Sequence, residues 1–302
     1  VLVDRNNILV SIIIPTYNHS EYLKRALNSV VNQTYENWEA IIIDNFSSDN
    51  TSEVVANFKN DKIKYFKVKN NGVIAISRNT GLKIAKGEWV AFLDSDDWWT
   101  KDKLEICIKN INDNLDFIYH DLEIISNNSK IFSRKNIKSR KLKKPVLIDL
   151  LVNGNAISNS SAVVRKKFLD KIKGINENKE LVAAEDYNAW LRIAQLTDQF
   201  LYLPKRLGYY LIHDQSVSKK DMSVPTRHAV NEFSKILTEN QKIKQEAFLK
   251  YMSGRFNYLN FDYKNSMKDL FFTLKNGSFS LRVRSIFMII MTKFNKGKEL
   301  ND

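Results

Sequence analysis

The sequence contains a single cysteine and no long apolar run, and both absences narrow the class of protein. Cys107 is the only cysteine in 302 residues, so no internal disulfide can form, and we interpret it as a buried thiol that suits a reducing cytoplasm. The longest late apolar run, residues 286–291, is too short to cross a bilayer. Residues 1–7 lack the apolar stretch of a signal peptide. We therefore expect a cytoplasmic globular protein.

Carboxylates, in contrast, are concentrated at one point of the chain. An apolar segment, residues 89–93, leads directly into Asp94, Asp96 and Asp97. Oxygen ligands of this kind suit Mg²⁺ or Mn²⁺, which complete their shells with water and substrate phosphates. The alternative is a solvated loop, which is the commoner fate of an isolated Asp-x-Asp.

The N-terminal part alternates between buried-strand and helix patterns. The predicted strands are residues 10–14, 38–43, 63–68 and 89–93, and the predicted helices cover residues 22–31, 52–58 and 76–85. Such alternation predicts an α/β fold with a mostly parallel sheet, helices on both faces and right-handed crossovers. The loops after Ile14, Ile43 and Leu93 should then meet along one edge of the sheet, where ligands of open α/β sheets bind.

Five ordered sequence blocks resemble the family 2 glycosyltransferases of bacterial surface-polysaccharide synthesis, which have the GT-A fold. The blocks are residues 11–18, 43–51, 77–81, 93–97 and 184–192, and they span roughly the first two-thirds of the chain. The resemblance implies an inverting, Mn²⁺- or Mg²⁺-dependent enzyme that moves a sugar from a nucleotide diphosphate to an acceptor hydroxyl. The implied donor is a UDP-hexose or UDP-N-acetylhexosamine, and the implied acceptor is a glycan or a lipid-linked saccharide.

The resemblance also assigns roles to individual residues. Asp186 matches the general base, and Asp96 matches the metal ligand, with His213 either completing the metal shell or serving as a structural histidine. The residues assigned to the nucleotide sugar are Pro15, Tyr17, Asn18, Asp44, Asn45, Arg78, Asp94 and Ser95. Many relatives have two adjacent acids where this chain has Asp44 followed by Asn45, which makes the identity of the base less secure than the chemistry.

Several assignments have alternatives. Glu185 and Asp186 also fit the acidic first turn of a helix, where carboxylates favour the positive end of the helix dipole. Arg78 is interpreted either as a pyrophosphate contact or as a helix-surface cation. The candidate contacts to the acceptor or to the sugar are Asp97, Trp98, Trp99 and Glu185. Either tryptophan could instead anchor its loop to the core.

The charge differs between the two ends of the chain. Residues 1–127 have a net charge of −4 and the remaining residues one of +17, with eight Lys and Arg and no acid in residues 130–144, which we expect to form a loop. We predict a catalytic domain over residues 1–220, with a nucleotide-binding half (1–127) and an acceptor-binding half (128–220), and a helical region over 221–302. That region suits either an anionic membrane surface, which would place the enzyme on the inner face of the membrane, or a packed appendage.

Two other functions fit the composition less well. A net charge of +13 suggests nucleic-acid binding, but the chain has no zinc-ligand spacing and no recognition motif, and its clustered Asp residues would repel a phosphate backbone. A sugar nucleotidyltransferase would also use carboxylates and a metal. Such enzymes open with a Gly-rich loop after the first strand, whereas residues 15–20 contain no glycine. We therefore expect no nucleic-acid partner.

Overall fold

The computed structural model describes residues 7–126, 136–137, 139–213 and 220–299. Part of the predicted basic loop, residues 130–135 and 138, lies outside the described residues, as does the segment after His213. The chain divides into two compact units. The first comprises Val1–Leu142 and Ala156–Gln215, and the second comprises Lys143–Asn155 and Ser216–Asp302. The predicted catalytic domain over residues 1–220 stays a prediction, because compactness does not locate catalysis.

The described residues form nine strands and eleven α-helices. The strands are β1 Val10–Thr16, β2 Trp38–Asp44, β3 Ile63–Lys67, β4 Trp89–Phe92, β5 Trp98–Trp99, β6 Phe117–Ser126, β7 Asn136–Ile137, β8 Val163–Arg165 and β9 Phe200–Ile212. The helices are α1 Ser20–Val31, α2 Thr51–Asn57, α3 Ile74–Ile84, α4 Lys103–Lys109, α5 Val146–Asn153, α6 Lys166–Lys171, α7 Glu185–Ala194, α8 Ser223–Asn231, α9 Glu239–Leu259, α10 Tyr263–Asn276 and α11 Phe279–Glu299.

The strands of the first unit form one mixed sheet in the order β3-β2-β1-β4-β8-β6-β9-β5, with β7 paired to β6. The four N-terminal strands are parallel, as the sequence predicts. The register aligns Thr16 with Asp44 and Ile13 with Phe92, so the loops after β1, β2 and β4 leave the same edge of the sheet. β9 runs parallel to β6, and its end therefore approaches the same region.

The core of the sheet explains the apolar runs of β1 and β2 and the glycine in α3. Every residue of β1 and β2 is buried, because helices cover both faces and leave no polar side to the strand. Gly81 of α3 allows the helix to lie directly on the sheet. A Cβ at that position would come within 2.7 Å of Ile13 Cγ2, so the glycine is required for close helix–strand packing.

α4 begins with a lysine that is completely buried. Lys103 Nζ lies 3.6 Å from the centroid of the Trp99 ring and has no hydrogen-bond acceptor among the described residues. Burial lowers the pKa of Lys103 from its ordinary value of 10.5 to about 8. The charged form of this side chain therefore carries a cost of burial that the contact with the Trp99 ring does not fully offset.

Replacing Lys103 by methionine should raise the free energy of unfolding at pH 7 by about 1–3 kcal/mol, because methionine retains the stem and removes the buried charge. The unfolded chain binds more protons than the folded one between the two pKa values of this lysine, so its contribution to stability rises with pH in that window. In urea unfolding, the stability that Lys103→Met gains over the wild type should therefore shrink as the pH rises from about 8 to 10.5. Lys101→Met, at an exposed lysine, is the matched control and should shift stability by less than about 0.5 kcal/mol. A Lys103→Met protein less stable than wild type at pH 7 would contradict this account.

The second unit is helical. It contains α5 and α8 to α11, and a small apolar cluster of Leu270, Met288 and Ile289 joins α10 to α11. The C-terminal helices predicted from the sequence are confirmed as α8, α9, α10 and α11. None of the helices in the described part of the chain is both long and apolar enough to cross a membrane.

Candidate active site

The predicted site residues lie at the carboxyl edge of the sheet, within the first unit. They come from the ends of β1 and β2 and the loops that follow, from the loop after β4, from β5, from α3, from the first turn of α7 and from the residue after β9. These segments are far apart in sequence, and hydrogen bonds between their side chains bring them into three groups. The three groups are the loops after β1 and β2, the pair formed by Asp96 and His213, and the carboxylates around Arg78.

The loops after β1 and β2, which contain the residues predicted to bind the nucleoside, hold each other in place. The backbone N–H of Asn18 donates to Ser47 Oγ at 2.8 Å, and Asn18 Oδ1 accepts from the backbone N–H of Ser48 at 2.8 Å. Asp44 is buried and accepts from Ser47 Oγ and from the Tyr65 hydroxyl, each at 2.5 Å. The predicted contact between Asp44 and the nucleoside stays a prediction, since this carboxylate already serves to fix the loop.

Two aromatic rings are exposed at this end of the sheet. Tyr17, predicted to stack on the base, is 53% exposed, and Phe46 in the loop after β2 is 58% exposed. Phe46 has a φ of 55°, a conformation that is costly for an aromatic residue. Phe46 is not among the residues predicted from the sequence, although a large apolar side chain in a polar strand-end loop is a signal that could have identified it. Asn45 Oδ1 accepts from the backbone N–H of Asn70, and Pro15 pairs with Ile43 inside the sheet.

The predicted metal-binding pair is brought together. His213 Nε2 lies 3.0 Å from Asp96 Oδ2, although 117 positions separate the two residues in sequence. Burial and the nearby Asp94 carboxylate raise the pKa of Asp96, while the bond from His213 lowers it. Bringing a cation to this position would relieve the repulsion between the carboxylates, so the environment suits a metal ligand.

His19 also belongs to this group, and the sequence analysis missed it. Its Nδ1 is hydrogen-bonded to Ser95 Oγ at 3.0 Å, and its ring lies 5.7 Å from the His213 ring, centroid to centroid. Burial lowers the pKa of His19. Its position directly after Asn18, in a strand-end loop, was the available signal.

The donors present fit a divalent cation that is shared with a diphosphate. Within the described part of the chain, no group of three or more His, Cys, Asp or Glu side chains is arranged to hold a metal. Asp96 and His213 supply one oxygen and one nitrogen, which leaves most of an octahedral shell to phosphate oxygens and water. A donor set of one carboxylate oxygen and one imidazole nitrogen suits Mn²⁺.

Arg78 joins the donor side of the site to α7. Its Nη1 donates to Glu185 Oε1 at 2.5 Å and its Nη2 donates to Asp94 Oδ1 at 2.8 Å, and the guanidinium is buried. Asn159 Nδ2 donates to the same Asp94 oxygen at 2.8 Å. Arg78 is therefore not a surface cation. The predicted pyrophosphate contact stays a prediction, and the geometry favours a positioning role for Arg78 instead.

Asp186 lies next to this ion pair at the start of α7. Its side chain is partly exposed, and Oδ1 accepts from the backbone N–H of Tyr187 at 2.7 Å. Desolvation and the neighbouring Glu185 carboxylate raise the pKa of Asp186 to about 7, against the opposing effect of Arg78. A carboxylate with a pKa near the working pH is suited to accept a proton and release it again.

Three of the candidate sugar contacts are used within the fold. Asp97 is buried and accepts from Ser160 Oγ at 2.5 Å and from the backbone N–H of Leu211 at 3.1 Å. Trp99 is buried and donates from Nε1 to the Ser160 carbonyl. Both side chains thus have a role within the fold, and their predicted contact with the acceptor or the sugar stays a prediction. Trp98 is partly exposed, but its ring stacks on one residue of β9 and lies under the guanidinium of Arg25.

Comparison with known proteins gives the family. The sequence model described as Glycosyl transferase family 2 matches residues 11–173, which is more than half of the chain. The Escherichia coli protein WfgD, a UDP-Glc:alpha-D-GlcNAc-diphosphoundecaprenol beta-1,3-glucosyltransferase, is 38% identical over 189 residues, or 61% of this chain and 69% of WfgD.

Solved structures agree on the fold. S. aureus TarS 1–349 in complex with UDP-GlcNAc has a TM-score of 0.66 at 19% identity, over 97% of this chain and 92% of that one. The mannosyltransferase PcManGT from Pyrobaculum calidifontis, in complex with GDP-Man and Mn²⁺, has a TM-score of 0.60 at 16% identity, over 93% and 79%. The GT-A-like α/β fold expected from the sequence is confirmed. From the family match and the ordered motifs along the carboxylate-lined sheet edge, we conclude that the chain belongs to glycosyl transferase family 2.

Proposed function

We propose that this enzyme transfers a hexose or N-acetylhexosamine from UDP to a hydroxyl of a glycan or lipid-linked saccharide, with inversion at the anomeric carbon. The observation that carries the proposal is the linkage of Asp94 and Glu185 through Arg78, which places Asp186 beside the loop that contains Asp96. A candidate base and a candidate diphosphate site thus share one edge of the sheet.

Asp186 is the residue that would take the proton of the acceptor hydroxyl. As the acceptor oxygen bonds to the anomeric carbon, the bond from that carbon to the diphosphate oxygen breaks and the hydroxyl proton passes to the Asp186 carboxylate. Attack and departure on opposite faces of the sugar give inversion. A covalent intermediate would need a second carboxylate as nucleophile. Glu185, the nearest alternative, is bound to Arg78 and buried.

Asp96 and His213 are the residues that would hold a divalent cation. When bound, the cation stabilises, as a Lewis acid, the negative charge that grows on the leaving diphosphate. Ser95 and His19, which are hydrogen-bonded to each other beside this pair, would contact the diphosphate. Tyr17 and Phe46, both exposed, would face the nucleoside, with Asn18 and Asp44 holding their loops.

The identity of donor and acceptor is drawn from the relatives. WfgD is named for UDP-Glc and for a lipid-diphosphate-linked GlcNAc acceptor, and TarS is solved with UDP-GlcNAc. We extend both to this chain as proposals, together with a role in surface-polysaccharide synthesis on the inner face of the membrane. PcManGT is solved with Mn²⁺, which supports the proposed cation. Its donor is GDP-Man, so the donor screen includes guanine as well as uracil nucleotides.

A donor screen tests the proposal. The purified protein is incubated with UDP-, GDP- and dTDP-sugars and a lipid-diphosphate GlcNAc acceptor, with Mn²⁺, with Mg²⁺ or with chelator. We expect transfer with at least one UDP-sugar, release of UDP, an inverted product and loss of activity in chelator. Release of pyrophosphate from a sugar phosphate and UTP would instead indicate a nucleotidyltransferase, and activity that is indifferent to chelator would overturn the metal assignment.

A further inference from the structure

α11 is apolar on two opposite faces. Its inner face packs within the second unit through Ser285, Met288, Ile289 and Thr292, which are all buried. Its outer face exposes five large apolar side chains, of which Phe279 is 84% and Phe287 65% exposed. The five are Phe279, Val283, Ile286, Phe287 and Ile290. A helix that only packed against its neighbours would have no reason to keep a second apolar face.

The five exposed side chains form one stripe. At 3.6 residues per turn they fall within an arc of roughly 100°, on the side of the helix away from the buried residues. Arg282 and Arg284 are exposed and lie on either side of the stripe. Contiguous apolar surface of this kind, bordered by charge, marks a site of interaction with another molecule or with a membrane.

The net charge of the second unit favours a membrane over a second copy of the chain. The second unit carries 18 Lys and Arg against 9 Asp and Glu, a net charge of +9. A second copy of the chain, docked through the same face, would bring the arginines of both copies together. An anionic lipid surface instead offers phosphates to the arginines and acyl chains to the apolar stripe.

We propose that the outer face of α11 lies in the interfacial region of an anionic membrane, parallel to its surface, with Phe279, Phe287 and Ile290 among the acyl chains and Arg284 on the lipid phosphates. Arg282, which donates to the Gly277 and Lys275 carbonyls, borders the stripe on its other side. The proposal does not depend on the transferase activity. The sequence left a membrane surface and a packed appendage as alternatives, and the two faces of α11 allow both at once.

Vesicle co-sedimentation of the full chain tests the proposal. The wild type should bind vesicles of phosphatidylcholine and phosphatidylglycerol in equal parts and should bind pure phosphatidylcholine at least ~10-fold more weakly, with binding that falls as salt rises. The double variant Phe279→Ser/Phe287→Ser should lose at least ~10-fold in binding, because two of the largest inserted side chains are removed. Arg284→Gln should lose less and should flatten the salt dependence.

Val224→Ser is the matched control, because Val224 is an exposed apolar residue of α8 in the same unit. It should bind vesicles as the wild type does, and all variants should keep wild-type helicity and wild-type transfer to a water-soluble acceptor. Equal binding to neutral and anionic vesicles, or none to either, would overturn the proposal. So would a dimer in light scattering that the double serine variant abolishes, since a second copy would then cover the stripe.

Discussion

Asp186→Asn should lower sugar transfer by at least ~10²-fold while donor binding barely changes. Asparagine keeps the size of the side chain and its bond from the Tyr187 N–H, but it has no carboxylate to accept the proton of the acceptor hydroxyl. Transfer is measured with a working acceptor, and donor affinity by titration of UDP-sugar into the variant. The separation of the two effects is what identifies a base.

Glu239→Gln is the matched control for a carboxylate that only favours the start of a helix. Glu239 lies in the first turn of α9, as Asp186 lies in the first turn of α7. Losing such a charge costs at most about 1 kcal/mol of stability and no specific chemistry. If Asp186→Asn transferred sugar at nearly the wild-type rate, the assignment would fail and Glu185 would become the next candidate.

The pH dependence of kcat/KM is a second test of Asp186 as the base. Desolvation, and the charge of Glu185, raise the pKa of Asp186 to about 7, with Arg78 opposing and Asp94 adding to the shift. The base acts in its deprotonated form, so kcat/KM should rise about tenfold per pH unit below that value and level off above it. In Asp186→Asn this acidic limb should disappear from the residual activity.

Asp96→Ala should abolish metal-dependent nucleotide binding and lower transfer by at least ~10³-fold, since a Lewis acid on the diphosphate supplies several kcal/mol and each 1.36 kcal/mol is tenfold. Alanine leaves His213 without its partner and removes the one carboxylate of the proposed metal pair. Calorimetric titration of UDP in the presence of Mn²⁺ and of chelator measures the binding directly, without requiring turnover.

Asp61→Ala, at an exposed carboxylate before β3, should leave both measurements unchanged and serves as the control. Because the Asp96 side chain is partly exposed, its removal should change the thermal midpoint little. A variant that still binds UDP more tightly with Mn²⁺ than with chelator would remove Asp96 from the metal site and leave His213 and His19 to be tested.

The periodic part of the fold could be predicted from the sequence. The four parallel strands follow from apolar runs that end in polar residues, and their common edge follows from the geometry of parallel sheets. The pairing of β6 with β9 could not be obtained this way, because no local pattern specifies which distant strand becomes a neighbour. β9 also pairs with β5, directly after the loop that contains Asp96, and His213 at the end of β9 lies 3.0 Å from Asp96.

The site residues likewise divide into those that the local sequence identifies and those whose surroundings depend on distant contacts. The carboxylates of the strand-end loops were recognisable because their chemistry and their position coincide, as at Asp96. The burial of Asp97 and Trp99 could not be predicted from the sequence. Both side chains are hydrogen-bonded to Ser160, which lies more than 60 positions away and is marked by no motif. Nor does any motif mark His19, whose hydrogen bond to Ser95 joins loops that are more than 70 positions apart in the sequence.

The buried arginine has a consequence for the exchange of segments between relatives. Arg78 lies in the part of the chain that would bind the nucleotide, and Glu185 in the part that would bind the acceptor, yet the two are partners in one buried ion pair. A recombinant with its crossover between them inherits the partners from different parents. If the parent of the nucleotide segment lacks this arginine, the hybrid has the Glu185 carboxylate unpaired in its interior, whereas Arg78 without Glu185 still keeps Asp94 as a partner. Acceptor segments can therefore be swapped freely only among enzymes that share this pair.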